Sequence, residues 1–257
     1  MIIFLIFAII GLIVGSFLNV VILRGGRGET LYGRSHCESC GTKLSLKELI
    51  PIASFLIQKG RCLHCSTVLL QQYPLVELGT GLLYGFAAYY TLSTSVFTTN
   101  SLLLLIGILT GIAGIIVILV SDLRYQIIPD GAVFILFLLG IIQILYRTYP
   151  MIYRSELIID VAISLILSIF LGSLWFLSKG TWMGLGDAKL VLATSLILGF
   201  PAAIYAFLFA FWIGGLMGII LLIFKIKTLK NRIPFGPFIL IGSALAYYLT
   251  PQFISFI

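Results

Sequence analysis

Four cysteines and a pair of aspartates are the residues of this chain best placed to do chemistry. Cys37 and Cys40 in SHCESCGTKL, and Cys62 and Cys65 in GRCLHCSTVL, form two Cys-x-x-Cys turns separated by 21 residues. Turns of that kind let four thiolates converge tetrahedrally on one zinc ion. A shell of four thiolates leaves no open coordination position, so the expected role is structural. Zinc binding supplies on the order of 10 kcal/mol of folding free energy, enough to order a loop with too few large apolar residues for a core of its own. Two disulfides are the other use of four cysteines, and the cytoplasmic placement argued below speaks against them. His36 and His64 flank the turns and are expected to be bystanders.

The chain has nine carboxylates. Glu29, Glu38 and Glu48 fall in the polar loop with the cysteines, and Glu156 and Asp160 are placed near the outer face. Glu77, Asp122, Asp130 and Asp187 all fall near the cytoplasmic ends of apolar runs. A carboxylate at mid-bilayer costs roughly 2.5 to 3.5 kcal/mol, and less toward the interface, so such residues tend to be functional. Asp130 follows Pro129 and reads as the N-cap of a helix. Asp122 in SDLRYQIIPD and Asp187 in GLGDAKL have no such reading. Gly184 and Gly186 allow a turn and a close helix approach beside Asp187. Two carboxylates from different helices at one depth suit an aspartic protease. One ionised Asp takes a proton from water, its protonated neighbour donates to the peptide carbonyl, and mutual repulsion keeps the two in different states. Asp187 begins its own helix and Asp122 ends another, so the helix dipoles predict an ionised Asp187 and a protonated Asp122.

The elements that must position these groups are membrane helices. Of 257 residues, 60% are hydrophobic and 10% charged, with a mean hydropathy of +1.17. Soluble domains carry about a quarter charged residues, so a soluble enzyme is excluded, as are disordered and fibrous proteins. About twenty apolar residues cross a bilayer as a helix. Spans are predicted at about 2 to 23, 74 to 92, 101 to 120, 132 to 146, 157 to 177, 187 to 200, 203 to 224 and 237 to 256. The fold class is therefore an all-α polytopic membrane protein of about eight transmembrane helices with a small cytoplasmic zinc-binding loop. Pro201 divides the sixth span from the seventh so closely that the pair could instead be a re-entrant hairpin.

The first span has no basic residue ahead of it, and Arg24 and Arg27 follow it directly, which is not the pattern of a signal peptide. That polarity places the N-terminus outside. With eight spans, fourteen Lys and Arg fall on the cytoplasmic side, and only Arg147 and Arg154 fall outside. The net charge of +7 is thus a topology signal, not a nucleic-acid footprint. Lys225, Lys227, Lys230 and Arg232 read as an anchor against anionic lipid. Trp175, Trp182 and Trp212 read as packing or interface-belt residues. The organisation expected is a first transmembrane helix over 1–23, a cytoplasmic four-cysteine loop over 24–73 and a helical bundle over 74–257 that carries the aspartates.

With these residues in place, the sequence resembles the type IV prepilin peptidases, membrane aspartic proteases of the GxGD type. The likeness runs through GSFLNVVILR, the double Cys-x-x-Cys with KELIPIASFL between, YPLVELGTG, the Asp122 stretch ending IPD, GLGDAKL and IPFGPFI. The resemblance implies cleavage of prepilin-like or pseudopilin-like precursors just after a Gly, at the cytoplasmic face of the inner membrane. In many bacterial members it also implies methylation of the new N-terminal amine by S-adenosylmethionine. It implies Asp122 and Asp187 as the catalytic pair and Cys37, Cys40, Cys62 and Cys65 as the metal ligands. Two positions depart from the family pattern: Gly25 and Gly26 follow Arg24 where a Pro is common, and Ser39 replaces a usual Pro in the first turn. No methyltransfer residue follows from the sequence, which has no Gly-rich nucleotide loop after a strand; Glu77 is a candidate by position.

Other readings remain open at this point. One is an ion- or proton-coupled transporter with a zinc-bearing regulatory loop, although transporter sites usually lie at the midplane between inverted repeats and neither is evident. Another is a membrane anchor whose loop binds a partner, which leaves the aspartates unexplained. The client could serve a type IV pilus, DNA uptake or type II secretion.

Overall fold

The computed structural model describes residues 1–94, 99–148, 154–225 and 233–254. Its long helices stand where the apolar runs predict them: α1 (Ile2–Arg27), α3 (Gln72–Thr94), α4 (Thr99–Tyr125), α5 (Asp130–Thr148), α6 (Arg154–Ser178), α7 (Leu185–Leu198), α8 (Ala202–Ile223) and α9 (Gly236–Ile254). The loop between α1 and α3 holds a 3-10 turn over Leu46–Leu49 and the short α2 (Ala53–Ile57). The described residues contain no strand, only two isolated bridges, His36 with Lys43 and Arg61 with Val68.

Helices form here because backbone polar groups in lipid must be satisfied within the segment. Helix ends run past the apolar windows. α1 continues from residue 23 to Arg27 and closes at Gly28, whose left-handed backbone returns its N–H to the Arg24 and Gly25 carbonyls. α4 runs past residue 120, so Asp122 lies inside its last turn. Charge ends a hydropathy window but does not end hydrogen bonding. By length and composition, α1, Asn100–Tyr125 of α4, Leu157–Ser178 of α6 and α8 can each cross a membrane. The 14 residues of α7 span about 21 Å, short of a hydrocarbon layer of about 30 Å.

Two compact units divide the chain, Met1–Val117 and Ile118–Ile257. In the first, α1 and α3 pack at backbone distance along glycines. A Cβ on Gly11 would lie 2.7 Å from the Thr80 carbonyl oxygen, and one on Gly15 would lie 2.8 Å from Glu77 Cα. Buried polar groups at the Arg24 end of α1 are tied to the loop. Asn19 donates to the Tyr73 carbonyl and accepts from Gln72 Nε2, and the buried Arg24 guanidinium donates to the carbonyls of residues 30–34. Buried charge is tolerated only where donors are matched in this way.

In the second unit α7 is central. It packs against α5, α6, α8 and α9, and Ala188, Leu190, Val191, Ala193, Thr194, Ser195 and Leu196 are buried around its whole circumference. Its short length is consistent with a position walled off from lipid by its neighbours. Gly140 of α5 sits where a Cβ would meet Leu196 Cβ at 2.8 Å, and Ser168 of α6 donates to the Ala188 carbonyl at 3.0 Å. The side chain of Asp160 accepts the Phe200 N–H at 2.6 Å and so fixes the turn from α7 into α8.

Because α1 and α3 meet through backbone at Gly11, Gly11→Val should prevent their close approach. Thermal unfolding in detergent followed by circular dichroism should show a transition lowered by several degrees, with helix content retained at low temperature.

Candidate active site and metal centre

The cysteine loop builds two near-identical knuckles. In the first, Cys37 N–H donates to Thr42 O and Gly41 N–H to Cys37 O. In the second, Cys62 N–H donates to Thr67 O and Ser66 N–H to Cys62 O, all at 2.9 Å. Each closes through a left-handed residue, Gly41 at φ +70° and Ser66 at φ +58°. The four Sγ atoms lie within 4.8 Å of one another, with Cys37 and Cys65 3.8 Å apart. Thiolates about 2.3 Å from a tetrahedral zinc stand about 3.8 Å from each other, so this donor set fits one such ion. The four can hold a metal.

The thiols differ sharply in acidity. The Thr67 hydroxyl and backbone amide hold Cys65 down at about 6, and Thr42 lowers Cys40 in the same way. At Cys37 the pull of the Cys40 backbone N–H is outweighed by burial and by the neighbouring Cys40 and Cys62 thiols, which push it up to about 11. Four anionic sulfurs this close repel unless a cation sits among them. His64 points away from a ligand role: its Nε2 lies 3.3 Å from Glu48 Oε1. Glu48 also accepts the Ser45 N–H and hydroxyl, which hold its carboxyl below the usual range, so it ties the 3-10 turn to the second knuckle.

Asp122 and Asp187 are both buried, at 4% and 7% exposure, and close enough to interact electrostatically. Each is held by a glycine amide. Asp187, the third residue of α7, accepts the Gly184 N–H at 3.0 Å, so its side chain caps the first turn of that helix. Asp122 accepts the Gly236 N–H at 2.8 Å. Gly236 opens α9, so Asp122 faces the positive end of that helix although it lies in the last turn of its own. The dipole contrast expected from the sequence is thereby offset, because both carboxylates receive an N-terminal amide. Gly236 must be glycine for this approach: an added Cβ would lie 2.7 Å from Asp122 Oδ2.

Other expected residues fall as follows. Asp130 is not the N-cap. The Pro129 carbonyl closes the first turn of α5, and the Asp130 carboxylate pairs with Lys189 of α7 at 2.7 Å. Both side chains are well exposed, so the pair adds little stability. With Ile128 against Gly186, where a Cβ would meet Ile128 Cβ at 3.0 Å, it fastens the α4–α5 connection beside Asp187. Glu77 lies in the other unit, buried, with the Ile52 N–H on its Oε2 at 2.7 Å. Ser121 Oγ and Tyr125 Oη, one turn apart beside Asp122, are buried with no hydrogen-bond partner among the described residues, leaving spare polar capacity at that helix end. Of the basic anchor, Lys227, Lys230 and Arg232 lie outside the described residues, as do the side chains of Arg147, Arg154 and Glu156.

Comparison with known proteins decides the lineage. A profile described as the Bacterial Peptidase A24 N-terminal domain matches residues 9–91, and one described as the Type IV leader peptidase family matches residues 109–219. A prepilin leader peptidase/N-methyltransferase of Bacillus subtilis (strain 168) is 30% identical over 250 residues, covering 96% of this chain and 95% of that protein. The chain belongs to the type IV leader peptidase family.

Proteins of the same printed name from Burkholderia pseudomallei (strain 1026b) and Pseudomonas aeruginosa are 28% and 27% identical, over 95% and 93% of this chain and 85% and 87% of theirs. No solved structure matches. As a leader peptidase family member the chain is a multi-pass protein of the inner membrane. The first profile covers α1 from residue 9 onward, both knuckles and α3 up to residue 91, and the second spans both aspartates. Gly236, whose amide holds Asp122, lies beyond either matched segment. The sequence alone assigns IPFGPFI no role, although Gly-Pro at a helix start is a pattern suited to an exposed amide.

Ser66 occupies in the second knuckle the left-handed position that Gly41 fills in the first. Ser66→Gly should relieve roughly 1 kcal/mol of backbone strain. Slower loss of metal to a chelator, timed by a colorimetric indicator, is the expected result.

Proposed function

We propose that this protein is a membrane aspartic endopeptidase that removes the leaders of type IV prepilin-like precursors and then methylates the new N-terminus. The observation that carries the proteolytic part is the pair of buried carboxylates, Asp122 and Asp187, each accepting a glycine amide on one oxygen; in this reading the other oxygen of each meets a shared water. In this reading one carboxylate removes a proton from water as it attacks the scissile carbonyl, and the other protonates the carbonyl oxygen. Collapse of the tetrahedral adduct returns a proton to the leaving amine. Family membership leaves the transporter reading without support.

The positive-inside count favours an outside N-terminus, with the aspartates and the cysteine loop on the cytoplasmic side. A cytoplasmic-edge site meets a cleavage point just before an apolar helix without drawing a basic leader into lipid. The ion we assign to Cys37, Cys40, Cys62 and Cys65 is zinc, acting structurally. The methyl donor implied is S-adenosylmethionine. Among the described residues no glycine-rich strand-to-helix loop offers a seat for it.

Asp122→Asn and Asp187→Asn should each lower cleavage of a co-expressed prepilin by about 10² to 10⁴, read as the mobility shift of the processed form. Gly236→Ala should displace the Asp122 carboxylate and cost about 10²-fold in cleavage with helix content unchanged. Elemental analysis of the purified protein should find about one zinc per chain, and Cys37→Ser should lose the metal and loosen the loop while sparing part of the peptidase activity.

A further inference from the structure

Glu77 is a buried carboxylate that the proteolytic site does not use. It lies in the second turn of α3, 6% exposed. Its neighbours are the Ile52 N–H and the Ser16 side chain, both neutral. Among the described residues no Lys, Arg or His forms an ion pair with it. Arg24, the buried cation of this unit among those residues, is committed to the carbonyls of residues 30–34. A buried carboxylate with no counter-cation is a costly arrangement, and at a membrane boundary it marks a place where a cation belongs.

A second observation points the same way. Ile52, a β-branched residue, holds φ +58° and ψ −50°, a strained backbone. It is this residue whose amide meets Glu77. A single carboxylate whose hydrogen-bond partners among the described residues are an N–H and a Ser hydroxyl suits an ammonium ion better than a metal, which seeks several oxygens. An ammonium attached to an apolar polypeptide matches the charge of this seat in the second turn of α3.

We propose that Glu77 binds the N-terminal ammonium of the processed substrate and accepts its proton, preparing the amine for methylation. This rests on the proposed function for the identity of the ligand. The proton passes from nitrogen to the carboxylate, leaving a neutral amine and a carboxylic acid. The nitrogen lone pair then forms a bond to the methyl carbon of the sulfonium donor. The carbon–sulfur pair returns to sulfur as a thioether, the methylated nitrogen carries the positive charge, and Glu77 releases its proton to solvent.

The test compares the full-length wild type with Glu77→Gln, in which the amide oxygen still accepts the Ile52 N–H. Without methyl donor, a fluorescent apolar peptide with a free N-terminal Phe should bind the wild type at least tenfold more tightly than its N-acetylated form, and the variant should bind both alike. With S-adenosylmethionine and the same pre-cut peptide, mass spectrometry should show methylation by the variant reduced more than tenfold at pH 7. That deficit should shrink toward pH 9, because an α-amine with a pKa of about 7.7 to 8.0 loses its proton to water unaided. Equal peptide preference in wild type and variant, a wild type that adds no methyl group, or a deficit unchanged by pH would each overturn the proposal. A wild type that distinguishes the peptides but cuts no prepilin would instead sink the peptidase reading and leave the ammonium seat standing.

Discussion

Carboxyl groups held out of water need donors, and in this protein each buried one receives a backbone amide. Glycine amides serve Asp122 and Asp187, and the Ile52 amide serves Glu77. Backbone N–H groups at the first turn of a helix have no partner within the helix, so they can stabilise a carboxylate without adding a side-chain cation that would neutralise it. For an acid–base pair that distinction is decisive. An Arg or Lys at the same distance would hold the carboxylate ionised and remove its ability to exchange protons.

This requirement shapes the second unit. α7 must bring its N-terminal turn to Asp122, and α9 must begin at that point too. α7 has 14 residues and α9 19, against 26 in α1 and 27 in α4, and α7 is buried on all sides. Glycines also allow close approaches beside the aspartates: Gly236 against Asp122 and Gly186 against Ile128. The knuckle loop solves a different problem by different means. With little apolar core, it relies on converging thiolates, two left-handed turns and the Glu48 contact to Ser45 and His64.

Much of this was legible in the sequence. The apolar runs mark α1 and α3 to α9, since hydropathy and backbone satisfaction act on the same segments, and the Cys-x-x-Cys spacing marks the converging sulfurs. Asp122 and Asp187 stood out because no local role accounts for them. What sequence did not reveal depends on partners distant in the chain. Asp130 looked like a cap because a cap is the local option, whereas its carboxylate reaches Lys189, 59 residues on. The dipole contrast between the aspartates considered only each residue's own helix. Gly236, 114 residues from Asp122, supplies the amide that offsets it. Helix ends differ from the apolar windows where Arg24 or Asp122 interrupts the apolar run while the hydrogen-bond ladder continues.

The central claim is that Asp122 and Asp187 act as one proton-sharing unit. Isotope-edited infrared titration of the aspartate carboxyl bands, in the wild type and in Asp122→Asn, measures this directly. Two macroscopic steps belonging to the pair, with the surviving Asp187 band moving when Asp122 is neutralised, is the result the account predicts. Independent titration of the two groups, with Asp187 unmoved by the substitution, would contradict it.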